Sequence, residues 1–112
     1  ISITNANVLD LFSGSGSFGF EIISRGAEKV TFVENYLPAY EILSKNITNL
    51  KCEDSSELLN DNCFNYIERL NKKEFKFDLI FLDPPFKENK INSLIENIKK
   101  KIIKYRWNNN TS

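Results

Sequence analysis

The chain has 112 residues, 41% hydrophobic and 27% charged, with 15 basic and 15 acidic side chains and a formal net charge of zero. That length admits at most one domain, and the charge balance argues against strong nucleic-acid binding by this segment. The absence of histidine rules out histidine catalysis and histidine-ligated metal.

No methionine is present, so Ile1 is not an initiator and a piece of a longer protein is expected. The apolar runs are too short for a membrane span, and no secretory pattern is visible. Cys52 and Cys63 lack metal-ligand spacing and read as free thiols of a reducing compartment.

Residues 7–12 read as a buried strand, with Val8, Leu9, Leu11 and Phe12 apolar. The Ser/Gly segment 13–17 is a turn. Phe18, Phe20, Ile22 and Ile23 then suit a helix packed on a sheet, ended by Gly26. Residues 29–34 form a second, β-branched and aromatic strand. Pro38 falls in the first turn of the next helix, where its missing N–H costs little, and Tyr40, Leu43, Ile47 and Leu50 continue at helical spacing.

Residues 51–56 read as a loop, 57–60 as a short third strand, and 63–70 as a helix with Phe64, Ile67 and Leu70 inward. Residues 77–82 are the strongest strand pattern in the chain. Residues 92–104 predict a last helix with Leu94, Ile95, Ile98 and Ile102 on one face. Its lysines, Lys99, Lys100, Lys101 and Lys104, read as a solvated face.

The alternation of strands and helices predicts an α/β fold: a parallel sheet covered on both faces, with ligands beyond the carboxyl ends of its strands. Two motifs stand at such ends. The first is Asp10-Leu11-Phe12-Ser13-Gly14-Ser15-Gly16. It runs into Ser17-Phe18-Gly19 and satisfies G-x-G-x-x-G, which by itself also suggests a dinucleotide. Asp10 shifts the reading. A carboxylate inside the strand suits a cationic ligand, and S-adenosyl-L-methionine carries an ammonium and a sulfonium where a dinucleotide carries phosphates. Asp10, Phe12, Ser13, Gly14, Ser15 and Gly16 are therefore expected to form the cofactor cradle. Glu34, with Asn35 beside it, is placed to meet ribose hydroxyls. Asn62, after the third strand, is a candidate for the adenine, and a helix cap serves equally well as its role.

The second motif is Asp83-Pro84-Pro85-Phe86. Two prolines stop the ladder and fix the turn, which holds the Asp83 carboxylate and the Pro84 carbonyl as convergent acceptors. An aryl amine offers two N–H donors in one plane. Accepting both from outside that plane draws the nitrogen toward a tetrahedral geometry and frees its lone pair. Phe86 offers a face for the base, a contact worth about 1–3 kcal/mol in comparable sites. Positioning would supply most of the rate, and no metal is required.

The stretch Val8 to Gly19, Arg25-Gly26-Ala27, Val30-Thr31-Phe32-Val33-Glu34, Asn46 and the run from Phe77 through Phe86 resemble the bacterial small-subunit ribosomal RNA guanine-N2 methyltransferases of the D type. The resemblance covers the chain to about Lys104. It implies a Rossmann-like S-adenosylmethionine-dependent methyltransferase fold and a cytoplasmic, monomeric enzyme acting on a guanine of 16S rRNA or the small ribosomal subunit. It also places the family's third-strand Asp or Asn on Asn62. Ser13 stands where the family usually has alanine.

The family's Arg/Thr-rich segment ahead of the first strand has no counterpart here, and its later strands are not expected either. Residues 1–105 are thus read as a partial methyltransferase domain, inactive by itself. Residues 106–112 are read as an aberrant tail in which the family would have Gly and an apolar strand. One coding of Arg106 to Ser112, read one base later, gives Asp-Gly-Ile-Ile-Ile-His, so a frame error is a hypothesis that resequencing would test. Rival readings are a DNA adenine-N6 or other amino-methyltransferase, an inactive cofactor-binding remnant, and a nucleotide-dependent dehydrogenase.

Overall fold

The computed structural model describes residues 3–70, 77–82 and, as backbone, 105–107. Strand β1 (Asn7–Leu11) leads to helix α1 (Ser17–Ser24), and β2 (Lys29–Val33) to α2 (Leu37–Asn49). A 3-10 turn (Glu53–Ser55), β3 (Ser56–Leu59), α3 (Cys63–Leu70), β4 (Leu79–Leu82) and β5 (Tyr105–Trp107) follow. The strands form a five-stranded sheet in the order β3-β2-β1-β4-β5. Every pairing is parallel, with Val8 opposite Val30 and Leu79, and Leu11 opposite Val33 and Leu82.

Topology follows from burial on both faces of the sheet. Alternation sends Leu9, Leu11, Val33, Ile80 and Leu82 to one face, where Ile67 and Leu70 of α3 cover them. Val8, Val30 and Phe32 point to the other face, under Ile22 of α1 and Leu43 and Ile47 of α2. The first two crossovers step outward from β1 to β3 with their helices on one face. The chain then returns across β1 to β4 with α3 on the opposite face, as right-handed crossovers require when the direction of travel reverses. The reversal leaves a switch point between β1 and β4, where open α/β sheets hold their ligands.

Local chemistry sets the ends of the elements. At the end of α1 the N–H of Gly26 reaches the Ile23 carbonyl at 3.0 Å and that of Ala27 reaches Ile22 at 3.3 Å. This is the Schellman pattern, and Gly26 takes the left-handed conformation it needs at φ 100°. Pro38 lies in the first turn of α2, as expected. Helix α3 covers the predicted residues, and the predicted loop 51–56 contains the 3-10 turn, with Ser56 already in β3. β4 is shorter than the predicted 77–82. The Asp78 carboxylate accepts the Asn7 N–H at 2.8 Å and so does locally what a ladder bond would do.

Strand β5 takes in Arg106 and Trp107, the first two residues of the segment read from sequence as a tail. Arg106 pairs with Phe81, and Trp107 with Leu82. A parallel ladder is made by backbone groups, and an edge strand need not carry the two-faced apolar pattern of a buried one. Residues 108–112, the predicted helix 92–104 and the Asp83-Pro84-Pro85-Phe86 motif lie outside the described residues. Among the described residues no helix is long and apolar enough to cross a membrane.

Candidate functional site

A cleft of about 350 Å³ opens at the carboxyl ends of β1 and β4, lined by Asp10, Phe12, Ser13, Gly14, Ser15, Ser17, Phe18 and Phe81. Its position is the switch point of the sheet. Asp10 is only 2% exposed. Its register partners are Phe32 on β2 and Phe81 on β4. A carboxylate held between aromatic neighbours at the floor of a cleft is costly unless something cationic or hydrogen-bonding meets it.

The loop after β1 is shaped residue by residue. Phe12 has a φ of 59°, in the left-handed region that a bulky side chain avoids. This turns the chain out of the strand, and the Ser13 N–H swings back toward the Val33 carbonyl at 3.4 Å. The Ser13 hydroxyl donates to the Asp10 carbonyl at 2.7 Å, and the Gly16 N–H closes the turn on the Ser13 carbonyl at 2.9 Å. Gly16 is the N-cap of α1 at φ 86°. A Cβ there would run into Leu43 and Phe20, so glycine is needed for both its conformation and its size. From α2, the Asn46 amide reaches the Ser15 carbonyl at 3.4 Å.

Glu34 follows β2 and faces this loop. One carboxylate oxygen accepts the Gly14 N–H at 2.8 Å, and the other accepts the Tyr36 N–H at 3.0 Å. Asn35 is exposed beside it. Asn62 sits at the start of α3. Its side-chain oxygen accepts the N–H groups of Phe64 at 2.8 Å and Asn65 at 3.2 Å. Of the two roles left open for Asn62, the helix cap is thus realised in the geometry, and its amide N–H donors are not engaged by that cap. Asp61 supports the turn by accepting the Asn62 N–H at 2.8 Å and pairing with Arg69.

Of the residues predicted from sequence, the cleft brings together Asp10, Phe12, Ser13, Gly14 and Ser15, with Gly16 buried behind them. Glu34 touches the loop through Gly14, while Asn62 stands at the head of the next strand–helix turn. Sequence reasoning did not single out Ser17, Phe18 or Phe81 for this site. The Phe18 and Phe81 rings stack with centroids 3.8 Å apart at 14° and form an aromatic wall. The signal available for Phe81 was its place in the strand just before the motif that begins at Asp83.

A family model described as conserved hypothetical protein 95 matches residues 1–107. The chain belongs to this family. It is 41% identical over 88 residues to the ribosomal RNA small subunit methyltransferase D of Haemophilus influenzae, covering 78% of this chain and 45% of that protein. A solved conserved hypothetical protein from Streptococcus pyogenes has a TM-score of 0.77 at 36% identity, covering 88% of this chain and 59% of that one. SMU.776, solved in complex with SAH, has a TM-score of 0.79 at 21% identity over 91% of this chain and 30% of that one, a likeness of fold. The chain spans about half the length of the curated relatives it matches.

The fold of this family member is the Rossmann-like fold of S-adenosylmethionine-dependent methyltransferases. The cleft fits that cofactor by its chemistry. Its described lining holds a buried carboxylate and serine hydroxyls, and no lysine or arginine. A dinucleotide brings phosphates, which the Asp10 carboxylate disfavours. A ligand with an ammonium and a sulfonium suits a lining that carries a carboxylate.

Proposed function

We propose that the protein transfers a methyl group from S-adenosylmethionine to the exocyclic N2 amine of a guanine in small-subunit (16S) ribosomal RNA. The observation that carries this reading is the buried Asp10 carboxylate on the floor of the switch-point cleft, in register with Phe81 of β4. When bound, S-adenosylmethionine supplies an electrophilic methyl group on a sulfonium. Asp10 and the loop from Ser13 to Gly16 would hold its charged end, Glu34 its ribose, and an Asn62 amide donor its adenine.

Toward the base, the Asp83 carboxylate and the Pro84 carbonyl accept the two N–H bonds of the amine, while Pro85 stiffens the turn. Phe86 takes the face of the guanine, which must be flipped or unpaired to reach it. Asp83 also stands as the acceptor for the proton the amine loses. The relatives named as small-subunit rRNA methyltransferases support the choice of RNA as substrate.

The test is methyl transfer to 16S rRNA, free or in the small subunit, by the complete reading frame that carries this chain, with the modified nucleoside identified by mass spectrometry. N2-methylguanosine is expected. Asp83→Ala should abolish transfer and leave S-adenosylhomocysteine affinity nearly unchanged, whereas Asp10→Ala should weaken that affinity itself. Methylated adenine, equal transfer by Asp83→Ala, or cofactor binding with no transfer to any RNA would overturn the proposal.

A further inference from the structure

Glu34 makes more contacts than a ribose acceptor needs. Its carboxylate bridges two loops: one oxygen takes the Gly14 N–H at 2.8 Å, the other the Tyr36 N–H at 3.0 Å. Gly14 belongs to the loop after β1 and Tyr36 is the N-cap of α2. The other described hydrogen bonds that fasten residues 13–15 to β2 and α2 are long. Ser13 reaches the Val33 carbonyl at 3.4 Å, and Asn46 reaches the Ser15 carbonyl at 3.4 Å. The shorter bonds, from the Ser13 hydroxyl to Asp10, from Gly16 to Ser13 and between the Ser15 and Ser17 hydroxyls at 2.8 Å, join the turn only to residues next to it in sequence. The Glu34–Gly14 bond is therefore the short, charge-assisted tie between this loop and the neighbouring strand end.

We propose that Glu34 is a positioning residue for the cofactor loop as well as a ribose acceptor, holding Gly14 in its binding position before any ligand arrives. This rests on the S-adenosylmethionine reading of the cleft. A carboxylate offers about four lone-pair sites, so two backbone donors leave room for a ribose diol on the same group. One side chain then serves both ends of the ligand: directly at the ribose, and through Gly14 at the charged end that Glu34 does not touch.

The two roles separate in a cycle of ligand and protein changes. S-adenosylhomocysteine and its 2′,3′-dideoxy analogue are titrated against the full chain and against Glu34→Gln, which keeps the shape and loses the charge. A pure ribose acceptor loses all influence once the hydroxyls are gone. With the positioning role, Glu34→Gln still weakens the dideoxy analogue about tenfold, the scale of one charge-assisted hydrogen bond. Identical affinity of wild type and Glu34→Gln for the analogue overturns the positioning role and leaves the cofactor reading intact. A wild type that binds neither ligand overturns both.

A second measurement needs no variant. Without ligand, the Gly14 amide should exchange its hydrogen more slowly than the exposed Ser15 amide. Equal exchange of the two overturns the proposal even where Glu34→Gln fails to fold.

Discussion

Gly19 shows how one atom decides the packing of α1. It is buried, and a Cβ built on it would run into the ring of Phe32, itself fully buried on β2. In an open helix Gly→Ala stabilises by about 1 kcal/mol, whereas overpacking a core costs about 1–3 kcal/mol. Here the second effect should win, so Gly19→Ala is expected to lower the melting temperature. A rise would mean that Phe32 can move aside freely. Phe12 makes the complementary case. Its left-handed backbone stores strain of about 1–3 kcal/mol at the rim of the cleft, where strain of this kind tends to gather.

At the scale of an element, α3 depends on its first turn. Its apolar side chains Cys63, Ile67 and Leu70 are buried against the sheet, but packing does not satisfy the free N–H groups at its start. Asn62 does so with one oxygen shared between Phe64 and Asn65. Asn62→Ala should cost about 1 kcal/mol, read as a lower denaturation midpoint, and Asn62→Asp should restore most of it because the acceptor remains. Failure of Asp to rescue would place the role of Asn62 outside the cap.

At the scale of the whole molecule, burial of two α3 side chains adds a pH dependence. Burial pushes the Cys63 thiol from its ordinary 9.0 up to about 12. Burial, with the nearby Glu57 carboxylate, pushes the Tyr66 hydroxyl from 10.0 up to about 12. Both groups stay protonated in the folded chain where the unfolded chain has already ionised. The unfolded state then binds fewer protons, so stability is full below pH 9.0 and falls as pH climbs toward about 12. Denaturation midpoints measured across that window should decline, and Tyr66→Phe should flatten the decline between pH 10.0 and about 12. The same burial keeps Cys63 from being a thiolate, so a thiol reagent at pH 8 should label half-buried Cys52 well before Cys63 in the native chain.

Much of this molecule was legible in local pattern. The alternation of Leu9, Leu11, Ile80 and Leu82 announced buried strands, Gly26 announced the end of α1, and α3 was bounded as found. The loop from Ser13 to Gly16 and the carboxylate of Asp10 announced the cleft at the end of β1, because glycine turns and charged strand residues leave local signatures. Asn62 could cap or bind, and residue type alone did not choose between them; its oxygen meets Phe64 and Asn65, two and three residues on. Two features were set by residues far apart in the chain, which no local window contains. Phe18 meets Phe81 only because the return crossover lays β4 beside β1. Glu34 stands 20 residues from Gly14, so its hold on the loop exists only once parallel pairing brings the ends of β1 and β2 together.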